Sequence, residues 1–117
     1  MRFGRLAPSA STYYNQEVSL NELLNRYYSS AASITSVSDT ATSTTVLASN
    51  PDRKGFSIYN DSTAIMYVKM GATASSSDYS FQIKPQGFYE TWGGYTGVID
   101  AIWASDASGA AKVSEYT

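Results

Sequence analysis

The chain contains neither cysteine nor histidine. Without cysteine there are no disulfides and no thiol chemistry. Without either residue, zinc sites of the Cys/His type and nucleophile systems built on a Ser-His or Cys-His pair are excluded. The commonest general base near neutral pH is missing as well. Charge is scarce: only 15% of the residues are charged, and the formal net charge is −2. Binding nucleic acid by phosphate neutralisation needs clustered Lys and Arg. Here the basic residues are scattered apart from Arg2 with Arg5 and the neighbours Arg53 and Lys54, so no nucleic-acid partner is expected. No apolar run approaches the length that spans a bilayer, and no apolar stretch follows Arg2 and Arg5, so neither a membrane partner nor a secretory leader is expected. A surface carried by Ser, Thr, Ala, Gly and Tyr has few ions to desolvate, which makes it easy to bury in an assembly.

The chain divides by pattern. Residues 1–33 read as an arm. Pro8, Ser9, Ser11 and Thr12 disfavour helix, and Tyr13 and Tyr14 offer aromatic surface for a partner. Within the arm, residues 19–30 carry a helix signature. Ser19 with Glu22 forms a capping box, and Val18 with Leu23 a hydrophobic staple. Leu20, Leu23, Leu24, Tyr27 and Tyr28 fall on one face at helical spacing. About three turns is marginal alone, so this face must dock, either on the chain's own body or on a neighbouring subunit. Together with Tyr13 and Tyr14, these five residues are the candidate partner-binding set.

Residues 34–117 read as an all-β domain. A Ser/Thr/Ala run contains a first edge strand at 34–38. Strands then follow at 44–49, 55–60, 64–70, 79–84, 88–92, 98–104 and 110–116, each bounded by turn residues. Seven or eight short strands without intervening helices predict an antiparallel β-sandwich or small barrel, with the sandwich, jelly-roll-like in character, the expected fold. Alternation directs Phe56, Ile58, Val68, Phe81, Ile83, Ile99 and Trp103 inward. Met66, Val68 and Met70 share a face, and so do Tyr79, Phe81 and Ile83. In the turn Pro85-Gln86-Gly87, Gly87 is the residue suited to positive φ. The serine-rich loop 71–78 is expected outside the core. Asn60-Asp61-Ser62 matches a glycosylation tripeptide but is better used as a turn.

Two motifs bear on chemistry. Trp92 and Trp103, with Glu90 or Asp100 beside them, would suit a sugar platform, although tryptophans in strands more often serve core and rim. Asp100, Asp106, Glu90 and Glu115 are the carboxylates available to a glycosidase pair, but no two stand in a recognisable motif. Asp52, Asp61, Asp78 and Asp106 suit turns, and no loop gathers the oxygens calcium requires. Gly93, Gly94 and Gly97 lack the following helix and lysine of a phosphate loop. The expectation is a non-enzymatic protein with no metal, cofactor or small-molecule substrate.

From about Ser33 onward the chain resembles a known family. The residues that carry the resemblance are Asn50-Pro51-Asp52-Arg53-Lys54-Gly55, the run Ile58 to Ala64, Met70-Gly71 with Thr73-Ala74-Ser75, Gly87-Phe88-Tyr89-Glu90, Gly94-Tyr95-Thr96-Gly97, Ile99-Asp100-Ala101-Ile102-Trp103, and the ending Ala111 to Thr117. In these it is similar to small virion structural proteins of tailed bacteriophages, the β-sandwich type that includes capsid decoration or cement proteins. The resemblance implies a virion structural protein made in the bacterial host cytoplasm, without fixing its position on the particle; a decoration protein on the outer surface of the head is the position expected here. In that position the expected partners are the major capsid protein and copies of the chain itself, with a homotrimer the expected oligomer because capsid lattices offer local threefold positions. Residues 1–32 lie outside the resemblance. Tail or fibre modules that bind host-surface glycans, and neck or tail connectors, are the alternatives it leaves open.

Overall fold

A computed structural model describes residues 20–24 and 28–117. Its body is eight strands: β1 Ala32–Ser38, β2 Thr44–Leu47, β3 Gly55–Asp61, β4 Met66–Lys69, β5 Phe81–Ile83, β6 Phe88–Trp92, β7 Ile99–Trp103 and β8 Ala110–Tyr116. All pairings are antiparallel. Two four-stranded sheets result, in the orders β1-β8-β3-β6 and β2-β7-β4-β5. The order has a simple origin. The first four strands pair with the last four as one long hairpin, 1 with 8, 2 with 7, 3 with 6 and 4 with 5. Rolling that hairpin sends alternate pairs to opposite sheets, and the contacts of β3 with β8 and of β4 with β7 then close each sheet. This is the jelly roll, and it confirms the all-β antiparallel sandwich expected from the strand spacing.

Alternation places the core. Phe56, Ile58, Val68, Ile83, Ile99 and Trp103 are all at most 3% exposed. Met66, Ala101, Ala111 and Val113 complete the layer between the sheets. Phe81 departs from expectation, because it is only half-buried. It lies on β5, the last strand of its sheet, where one flank has no neighbouring strand among the described residues. There it stacks on Tyr89 of β6, ring centroids 4.1 Å apart. Tyr89 in turn meets Phe56 at 5.9 Å. These rings close the sandwich along the β5/β6 side. Phe81→Ala should therefore cost about 2–3 kcal/mol, below the range for a fully enclosed Phe, as a urea midpoint shift would measure. A change under about 1 kcal/mol would show that the rings do not seal that side.

Several boundaries differ from the sequence pattern, each for a local reason. The strand expected at 79–84 begins only at Phe81. Ser80 leaves the alternation there: its N–H donates to Val68 O and its Oγ accepts from Met70 N–H. Tyr79 consequently does not join Phe81 and Ile83, and packs on Tyr67 instead, centroids 4.9 Å apart. Loop 71–78 contributes to the interior after all, since Ala74 is 3% exposed and its N–H donates to Ser43 Oγ. In the 85–87 turn, Gln86 rather than Gly87 takes the positive φ, 65°. Gly87 is needed for space, because a Cβ there would lie 2.8 Å from Lys84 O. The helical signature at 19–30 is shorter than expected: residues 20–24 are helical, whereas 28–30 are not. Ser29 Oγ donates to Ala31 O, a local bond of the kind that competes with helix.

Each open end of the sandwich is sealed by one polar side chain. At the end where β1 begins and β8 finishes, Arg53 is 5% exposed. Its Nε donates to Glu115 Oε2 at 2.8 Å, and Nη2 to Ala48 O at 2.6 Å. Nη1 donates to Gly97 O at 2.8 Å and to Tyr95 O at 3.4 Å. At the far end, Asn60 is fully buried. Its Nδ2 donates to Ala64 O and Ile83 O, and its Oδ1 accepts from Ser62 Oγ and Trp103 Nε1.

Candidate attachment surfaces

The jelly roll leaves three kinds of surface on which a partner could act: the segment before β1, the outer sheet faces, and the sheet edges. The segment before β1 carries the candidate residues read from the sequence. Leu20, Leu23 and Leu24 stand at i, i+3 and i+4 on the 20–24 helical turn, exposed by 60%, 57% and 49%. Tyr28 is 63% exposed and sits at a bend, its N–H donating to Leu24 O. Tyr13, Tyr14 and Tyr27 lie outside the described residues, as do Val18 and Ser19 of the proposed helix start. Of the two docking alternatives, the leucines are not covered by the chain's own body.

The tryptophan pair is not assembled. Trp103 is 2% exposed and committed to Asn60 in the core, whereas Trp92 is 53% exposed on the outer face of the β1-β8-β3-β6 sheet. The sequence could not separate them by type, because both sit in strands. Their register decides: Trp103 pairs with Met66 on the inward phase, and Trp92 pairs with Gly55 on the outward one. The Trp92 ring lies over Gly55, where a Cβ would meet its Cε3 at 2.9 Å, and stacks on Tyr116 with centroids 4.9 Å apart.

The carboxylates are dispersed, each with its own environment. Asp100 is buried and accepts from Thr45 Oγ1 at 2.8 Å. Asp106 Oδ1 accepts from Ala41 N–H, and Glu115 is paired with Arg53. Glu90 is exposed opposite Ser57 on the first sheet. Among the described residues no three His, Cys, Asp or Glu side chains are grouped to hold a metal ion, and no helix is long and apolar enough to cross a membrane.

Two features escaped the sequence reading. The sequence assigns Arg53 no role beyond its pairing with Lys54 and gives Asn60 only a turn role, because a buried polar side chain has no periodicity to betray it. The signal for Asn60 was available in principle, in its place on the inward phase of β3 with Phe56 and Ile58. The outward row Trp92, Gly55, Tyr116 and Ala32 becomes visible only once the register of four strands is known.

A scan against protein-family models and searches of curated proteins and of solved structures found no match.

Proposed function

We propose that this protein is a non-enzymatic structural subunit that attaches to a larger protein shell. The observation that carries the reading is the uncovered leucine face of residues 20–24, seven residues before β1 in the sequence. Fully burying one leucine side chain contributes about 1.5–3 kcal/mol, so three of them form a strong anchor once a partner surface covers them. The resemblance to phage virion proteins supplies the identity of the shell. The partners are then the major capsid protein and further copies of this chain, and the role is decoration of the head, with the jelly-roll body on one subunit and the arm on its neighbour. Linked weak contacts on a lattice reinforce one another, because each later contact is intramolecular.

The test is direct. Chain lacking residues 1–30 should melt as the full chain does, since β1 and its bonds to β8 are retained, but should lose particle binding. Leu24→Asp should likewise leave the melting temperature of the free protein unchanged, because exposed substitutions typically move stability by no more than about 0.5 kcal/mol. It should abolish attachment to emptied capsids. A large fall in the free protein's own stability would place the leucines on its own body. Copy number per purified virion separates positions: hundreds of copies fit the head, and a few dozen or fewer fit a neck or tail ring.

A further inference from the structure

Among the described residues four strands border the two sheets, and three of them carry features that blunt an edge. β5 has three residues. β2 has four, with its register shifted between Thr45 and Leu47. β6 has five and carries Glu90. Short length, irregular register and charge are the usual means of keeping an edge from pairing with another chain. β1 has none of them. It runs for seven residues, Ala-Ser-Ile-Thr-Ser-Val-Ser, without charge, proline, glycine or bulge, and pairs in unbroken register with β8. Six of its seven residues are exposed, Ile34 by 73%.

The direction of its backbone groups follows from two flanking bonds. Thr117 N–H donates to Ala31 O, and Asp39 N–H to Gly109 O. Bonded pairs alternate along an antiparallel ladder. Ser33, Thr35 and Val37 therefore bond to β8, and Ala32, Ile34, Ser36 and Ser38 direct N–H and C=O away from the sheet. Among the described residues no group bonds to these outward donors and acceptors.

We infer that β1 pairs antiparallel with β1 of a second copy, joining two jelly rolls through one continuous eight-stranded sheet. The occupant follows from the strand itself. With Thr35 opposite Thr35 on the two-fold axis, Ile34 faces Ser36 of the second copy, and Ala32 faces Ser38. All four outward residues of each chain are then bonded, and none is left over. No like charges meet at the axis, because the strand has none. Ala31, which leads into β1, then lies beside the far end of the other copy's β1. Pairing a strand with itself is two-fold by construction, so this edge makes a dimer and not a threefold set. The inference concerns free protein in solution and goes beyond the attachment reading, so its failure would leave particle binding untouched.

The absence of cysteine makes a clean test. A non-bonded antiparallel pair brings Cα atoms to about 4.5 Å, within the range a disulfide spans. In otherwise full-length chain, Thr35→Cys should form a disulfide-linked dimer on mild oxidation. Ser33→Cys, set about two residues off the axis, should do so at least roughly tenfold more slowly. Sedimentation of the unmodified chain should show a concentration-dependent dimer. Ser36→Pro, which removes an outward N–H and the exposed hydroxyl that accepts from Lys112 Nζ, should be monomeric with its melting temperature nearly kept; Ile34→Lys should act in the same way should the proline prevent folding. Equal crosslinking rates for the two cysteine variants, or a chain that stays monomeric at the highest soluble concentration, would overturn the inference.

Discussion

Asn60→Ala should destabilise the domain by about 3–5 kcal/mol, a large part of the whole stability of a domain this size. The side chain is fully buried and spends both donors and its acceptor: Nδ2 on Ala64 O and Ile83 O, Oδ1 on Ser62 Oγ and Trp103 Nε1. Truncation leaves the Trp103 N–H without its acceptor and Ile83 O without this donor, inside a layer that water does not reach. Each buried group stranded in this way costs about 1–3 kcal/mol. A small cavity adds to that. Asn60→Leu fills the space but strands the same groups, so it should do no better than alanine. Urea unfolding followed by tryptophan fluorescence measures both variants, and a loss below about 1 kcal/mol would mean that water replaces the side chain.

The contrast between what the residues announced and what they concealed follows from physics. Strand number, antiparallel pairing and the inward set were legible because alternation with period two is written directly into residues such as Phe56-Ser57-Ile58 and Met66-Tyr67-Val68. The layer order was not, because it depends on which strands meet across the roll, and no single segment carries that information. Phe81 shows the limit of alternation. Its phase was read correctly, yet its burial is set by the absence of a strand beside β5. Gln86 and Gly87 show another limit: a turn sequence can be recognised while the residue bearing the unusual dihedral is misassigned. In the arm, the leucine spacing predicted a face needing cover, and the body does not supply it. The open β1 edge was the least legible of all. Its importance lies in what three other edges have and this one lacks.

Arg53 sets the second large effect. Arg53→Met should cost about 3–5 kcal/mol, as expected when one partner of a buried ion pair is removed and the other is left behind. The side chain of Arg53 is 1% exposed and that of Glu115 17%, with Nε and Oε2 2.8 Å apart. The guanidinium does more than neutralise Glu115. Its remaining nitrogens hold Ala48 O, Gly97 O and Tyr95 O, which draws the 48–54 and 93–98 loops onto the end of β8. That planar fork explains why lysine is a poor substitute: an ammonium is a single point and cannot reach three directions at once. Arg53→Lys should therefore recover only part of the loss. The double variant Arg53→Met with Glu115→Gln separates the two contributions. Removing both charges should restore the share due to the stranded carboxylate, while the loops remain unheld. If the double variant is as stable as the original chain, the carbonyl bonds contribute nothing. If it is no better than Arg53→Met, the stranded carboxylate costs nothing. An intermediate value is expected, with faster amide exchange at Gly97 and in the 48–54 loop. The arm joins the body at this same end, through Thr117 N–H to Ala31 O. On the proposed attachment reading, loosening the Arg53 clasp should weaken particle binding as well, through the platform from which the arm extends.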